Sequence, residues 1–226
     1  MKRLGWLVLA VVALSCGGTA TTRRTFPLVV SSTTGTMVTD SGWTVTLSGA
    51  HASFASARFF SGEVPVVRRF DPLGWLIPSA WAHPGHYMQG EALGELLAPV
   101  EADLLAGDTA WGEVSGVTGE YGSLQLTLAA AGSHLAGAAT KGSQSVTFDA
   151  TFTPPSSIEG VPFAHTMDTA PGRVRVAVDL GAVVTRMDFA YVGASTSPLD
   201  ATSPAFNGFA RGVEDSSAYV TTWEAP

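Results

Sequence analysis

The chain has 226 residues and a mass of 23.4 kDa, the length of one β-sandwich domain or at most two small ones. Only 14% of its residues are charged against 46% hydrophobic, with 25 glycines and 13 prolines, which suits a loop-rich, strand-rich globule and excludes a long-helix bundle, a coiled coil or a disordered acidic chain. Twelve Lys and Arg against nineteen Asp and Glu give a formal charge of −7 and no basic patch able to neutralise phosphates, so nucleic acid is not an expected partner.

Met1-Lys2-Arg3 is a short cationic start, and Leu4 to Leu14 is an apolar run. That run falls short of the about 20 residues a membrane-spanning helix needs, but it fits the core of a signal peptide. It ends at Ala13-Leu14-Ser15-Cys16, and Cys16 is the only cysteine in the chain. This looks like a bacterial lipobox, in which the cysteine is acylated after cleavage; the other reading is an ordinary signal peptide with Cys16 incidental. On the lipobox reading, residues 1–15 are a lipoprotein signal peptide, 16–25 a flexible tether and 26–226 a single domain. The mature chain then has no disulfide. Gly17, with no aspartate after the cysteine, favours an outer-membrane lipoprotein of the bacterial envelope, facing the periplasm or the surface.

Along the domain, Phe26 to Val38 reads as an entering strand. Trp43 to Leu47 alternates apolar and polar at strand period, and Ala50 to Phe60 continues in the same manner. Phe70 to His86 carries Pro72, Pro78 and Pro84 and reads as loop. Gly90 to Leu97 and Val100 to Leu105, parted by Pro99, have helical composition and are the helix candidates. Strands resume at Ser123 to Ala129, Val146 to Phe152 and Val174 to Leu180, and Val183 to Val192 reads as another. Turn signals fall at sandwich spacing. The expectation is an all-β fold: an antiparallel, Ig-like β-sandwich with a loop and short-helix insertion at about 61–110.

Trp81-Ala82-His83-Pro84-Gly85-His86-Tyr87-Met88 is the segment richest in chemistry. Proline second and glycine third fit a type II turn, which brings its first and fourth Cα atoms within about 7 Å. His83 and His86 can then converge on one ion, and neutral imidazole suits copper, zinc and nickel. The spacing leaves two exposed or hydrogen-bonded histidines as an open reading. Two ligands do not make a tight site. His51 is the first choice for a third, followed by His165, with Glu91 also in play. His134 on its own reads as a surface histidine, and Met167 and Met187 read as core. No nucleophile elbow, zinc-protease helix or phosphate loop is present, and nothing singles out a carboxylate pair among residues such as Asp168, Asp179 and Asp188. A non-enzymatic protein is therefore expected.

Gly42 to Leu47, Ala50 to Phe60, Ala82 to Tyr87 and Gly90 to Glu95 together resemble a group of bacterial lipoproteins common in myxobacteria. More distantly, they are similar to the MbnP/CorA-like copper-binding proteins of methane oxidisers. The resemblance covers roughly residues 42–190 in order of features. It implies a β-sandwich that binds copper through histidines, with His83 and His86 as ligands. It also implies Trp81 as the tryptophan placed for oxidation by a partner dihaem peroxidase-like protein. The expectation is a lipid-anchored envelope protein that binds a transition metal, copper before zinc, for acquisition or storage. Its partners would be the membrane, through the lipid on Cys16, and that dihaem protein or an outer-membrane transporter. The rival is a metal-free binding or structural lipoprotein; an unrecognised hydrolase is the third reading.

Overall fold

Period-2 alternation becomes strand wherever it is strongest. The computed structural model describes residues 21–34, 37–63, 88–153, 156–193, 195–196 and 198–226, and of these 59% lie in strands and 11% in helix. The strands are β1 (Arg23–Thr33), β2 (Thr44–Phe60), β3 (Ala92–Leu96), β4 (Val100–Asp103), β5 (Thr109–Val117), β6 (Gly119–Lys141), β7 (Gln144–Phe152), β8 (Ser157–Met167), β9 (Arg173–Asp179), β10 (Ser195–Thr196) and β11 (Tyr219–Glu224). Two α-helices, α1 (Leu180–Val184) and α2 (Pro204–Glu214), and a single 3-10 turn at Ser216–Ala218 make up the helix among the described residues.

One sheet contains all eleven strands, in the order β10-β7-β6-β2-β3-β5-β1-β9-β11, with β4 also paired to β2 and β8 to β6. The long strands β2 and β6 hold it together. Their first meeting pairs Thr44–Ala52 of β2 with Ser133–Thr140 of β6; their second pairs Phe54–Phe60 with Ser123–Leu128. Between the two, residues 129–132 of β6 stand opposite Ser53 alone, and such a bulge bends the strands it interrupts. Gly132 takes φ +67° there, and a Cβ on it would lie 1.9 Å from the Phe152 carbonyl oxygen, so the bend requires glycine. Beyond the bend the sheet curls until β11 packs beside β8, giving an all-β, sandwich-like body.

Three details differ from the sequence expectation. First, the sheet is mixed rather than antiparallel: β1 runs parallel to β9 from Leu28↔Val174 to Thr33↔Asp179, and β10 runs parallel to β7. The long path from Thr33 to Arg173 supplies the crossover that a parallel pair needs. Second, both helix candidates are strands. In β3, Gly94 and Leu96 are buried while Ala92 and Glu95 are exposed, and pairing with β2 and β5 overrides local composition. Residues 92–96 and 100–103 therefore belong to the sheet, not to a loop and short-helix insertion. Third, the strand expected from Val183 begins inside α1, where the Asp179 carboxylate caps the helix by accepting from Ala182 N–H at 3.1 Å.

Phe26, Phe59, Tyr121 and Phe163 meet edge-on with ring centroids 5.5–6.2 Å apart in one part of the core. Trp43, Phe148 and Phe189 form a second aromatic group. The Tyr121 hydroxyl lies 2.7 Å from the Val117 carbonyl and 2.9 Å from that of Leu93, and accepts from Val117 N–H at 3.3 Å. A tyrosine reaching back four residues in this way fixes a strand-to-strand corner, as in other sandwiches.

Candidate functional site

Cys16, Trp81, His83 and His86 lie outside the described residues. Gly62 N–H donates to the Gln89 carbonyl at 3.1 Å, Ser61 N–H to the Glu91 carbonyl at 3.0 Å, and Glu91 N–H to Ser61 Oγ at 2.9 Å. The chain thus leaves β2 and returns to β3 through one pinned pair of segments.

His51 is described. It sits on β2, exposed, where the first meeting of β2 and β6 places it directly opposite His134. Residues paired across strands project to the same face. The two imidazoles have centroids 5.9 Å apart with ring planes 28° apart. His134 Nε2 lies 3.2 Å from Oδ1 of Asp149 on β7, and both side chains are partly exposed. On the other side of His51, Asp103 of β4 occupies the paired position, but its Oδ1 accepts from Leu105 N–H at 2.9 Å in a local turn.

An ionised carboxylate only accepts hydrogen bonds, so the Nε2–H tautomer of His134 is the neutral form that satisfies Asp149. The Nδ1 lone pair of His134 is then left for another partner. The donor set of two imidazoles with an orienting carboxylate fits a transition metal such as copper or zinc. Among the described residues no group of three or more His, Cys, Asp or Glu side chains is placed to hold a metal ion together.

His165, second choice as a ligand, stands apart from this face. It stacks on Trp223 and faces Phe163. Partial burial holds its pKa below the ordinary value; the Asp168 charge raises it and Arg24 lowers it. Met167 and Met187 are core residues, as read from sequence. His134, which on its own reads as a surface histidine, is half-buried on β6 opposite His51. Its alternation within Ser133 to Ala139 is weak, so its register with His51 shows only once β2 and β6 are paired.

A groove of about 650 Å³ lies over β2, β3 and β5, lined among others by Arg23, Arg58, Gln89, Ser115 and Gln125. Gln89 Nε2 donates to Gln125 Oε1 at 3.0 Å, and Arg58 pairs with Glu95 at 3.8 Å. No helix among the described residues is long and apolar enough to cross a membrane, which does not bear on strands.

Fold and site together define an all-β, sandwich-like protein with two imidazoles, one exposed and one half-buried, side by side on one sheet face. No protein-family model, no curated protein and no solved structure matches the chain.

Proposed function

We propose that this chain is a lipid-anchored protein of the bacterial envelope that binds a transition metal through histidines, copper before zinc, for acquisition or storage. The observation that carries the reading is the meeting of His51 with a second imidazole across a strand pair, 5.9 Å between centroids. The His83-Pro84-Gly85-His86 turn and the lone Cys16 behind an apolar run support it from the sequence. Copper(II) stands at the top of the divalent affinity order, so imidazole donors favour it over zinc. Trp81 as a modified residue, and a dihaem protein or transporter as partner, belong to the same reading.

The test has two arms. Full-length chain expressed in a two-membrane bacterium is fractionated beside a Cys16→Ser variant. The wild type is expected with the membranes and the variant in the soluble fraction or unprocessed. Wild-type protein is then loaded with copper(II), desalted and analysed for metal, with about one copper retained per chain as the expected result. A wild type that retains no copper overturns the metal reading. The groove at Arg23 and Arg58 then favours the second reading, a metal-free binding lipoprotein.

A further inference from the structure

We infer that His134 is the ligand partner of His51, that it offers Nδ1 to the metal, and that Asp149 is the positioning residue that selects this nitrogen. The inference rests on the metal-binding reading above and names the site within it. It starts from register. His51 and His134 are a directly opposed pair in an unbroken run of the β2–β6 ladder, from Gly49↔Ala136 to Ala52↔Ser133. Their Cβ atoms therefore project side by side from one face of the sheet, and the backbone presets their approach before any ion arrives.

Two nitrogens that share one ion at about 2 Å each must come within about 4 Å of one another. The imidazole centroids are 5.9 Å apart with their planes 28° from parallel. Turning the exposed His51 ring about its own side-chain torsions closes the remaining distance without moving a strand. His134 is the fixed member, because Nε2–H is held at 3.2 Å by the Asp149 carboxylate. A carboxylate behind one ring nitrogen of a ligand histidine fixes the tautomer and makes the other nitrogen more basic. Asp149 itself comes from β7, paired with β6 at Ala136↔Asp149, so three neighbouring strands build the site. The ligand class is a borderline divalent ion that accepts imidazole nitrogen, copper(II) or zinc(II).

The experiment titrates copper(II) into the full chain and reads affinity together with nitrogen hyperfine structure in the electron paramagnetic resonance spectrum. The variants are His51→Ala, His134→Ala, Asp149→Ala, Asp149→Asn and the double variant His83→Ala/His86→Ala. Unchanged far-UV circular dichroism shows that each variant is folded. Loss of His51 or His134 is expected to weaken binding at least tenfold and to remove one coordinated nitrogen. Asp149→Ala is expected to keep both nitrogens and to weaken binding about tenfold, the usual effect of losing such a partner. Asp149→Asn, whose amide oxygen still accepts from Nε2–H, recovers most of that loss. Long-range ¹H–¹⁵N spectra of the zinc-loaded protein are expected to show the metal shift on His134 Nδ1. If His134→Ala and Asp149→Ala bind as wild type while the His83/His86 double variant does not, this inference fails and the copper reading stands. If the wild type binds no copper, both fall.

Discussion

The His165 imidazole stacks on the indole of Trp223, with centroids 4.8 Å apart and planes 19° apart. The guanidinium carbon of Arg24 lies 5.1 Å from the centre of the same indole ring. Arg24 also donates to the backbone carbonyls of Asp168 and Ala170, and a Cβ on Gly172 would fall 2.3 Å from the indole. Side chains from β1, β8 and β11 thus meet on one indole where the curled sheet brings β8 beside β11. Partial burial keeps the His165 pKa below its ordinary value, so the fold prefers the neutral ring. As pH falls through about 6.5, the unfolded chain takes up this proton before the folded one does. Stability present above that pH is therefore lost on acidification. Urea unfolding at pH 8.0 and pH 5.5 should show a larger drop in midpoint for wild type than for His165→Phe, which keeps a stacked ring and removes the titration. Equal drops in the two proteins refute the assignment.

Tyr121 and Gly116 form a second coupled pair. Tyr121 is 2% exposed, and its hydroxyl is shared among Val117 and Leu93 backbone groups. A Cβ on Gly116 would lie 2.8 Å from that hydroxyl oxygen. Tyr121→Phe leaves buried backbone groups without this partner and is expected to cost about 1–3 kcal/mol. Gly116→Ala is expected to cost a similar amount, about 1–3 kcal/mol, through overpacking. With the hydroxyl gone, part of the clash goes too, so the double variant should cost less than the two single changes together. Additive costs in equilibrium unfolding count against a direct contact.

Legibility in the sequence followed the source of the signal. Val146, Phe148 and Ala150 alternate in sequence and are all buried in β7, as are Val174, Val176 and Val178 in β9. In β2 the alternation misleads: Phe54, Phe59 and Phe60 are all buried although Phe59 has the opposite parity, because bulges shift the register after Phe54 and after Phe59. The composition of Gly90 to Leu97 favours helix, yet the segment lies between β2 and β5, where long-range pairing decides. Helix α2 carries its signal locally, in Ser203-Pro204: Ser203 accepts from Phe206 N–H at 3.1 Å as N-cap, and Pro204 opens the first turn. His134 carried none, since its significance lies in the register with His51, a property of two strands at once.

Arg175 joins separate parts of the chain by charge. Its guanidinium donates to Glu224 of β11 with Nε–Oε1 at 2.5 Å and to Asp108 ahead of β5 with Nη2–Oδ2 at 2.8 Å, while Arg173 reaches Glu224 at 2.7 Å. Hydrogen bonds from Arg175 hold the carboxyls of Asp108 and Glu224 below their ordinary range. A depressed carboxylate pKa adds stability above the unfolded value of about 4, and that stability is lost as pH falls below it. Arg175→Met keeps the apolar stem and removes the charge. Its thermal midpoint should lie below wild type at pH 7, with the gap narrowing by pH 3. A gap that stays constant over that range would show that packing, not the ion pairs, is what Arg175 supplies.

Helix α2 packs against α1 and the chain just after it through two glycines one turn apart. A Cβ on Gly208 would lie 2.2 Å from the Arg186 carbonyl oxygen, and one on Gly212 would lie 2.1 Å from that of Val183. Both glycines are buried, alongside Ala205, Phe209 and Val213 on the same face. Placing alanine for glycine inside a free helix gains about 0.5–1 kcal/mol, because glycine loses more backbone entropy on folding. Here the sign reverses. The atoms in the way are backbone, which no rotamer change can move, so α2 must shift away from α1 and open the contacts of Phe209 and Val213. Gly208→Ala and Gly212→Ala are each expected to destabilise the fold by about 1–3 kcal/mol. Asn207→Ala, on the exposed face of the same helix, should stay within about 0.5 kcal/mol of wild type and serves as the control. Urea denaturation with a common slope separates the cases. If either glycine variant is stabilised as a free helix would be, the close approach of α2 to Val183 and Arg186 is not what holds that end of the molecule.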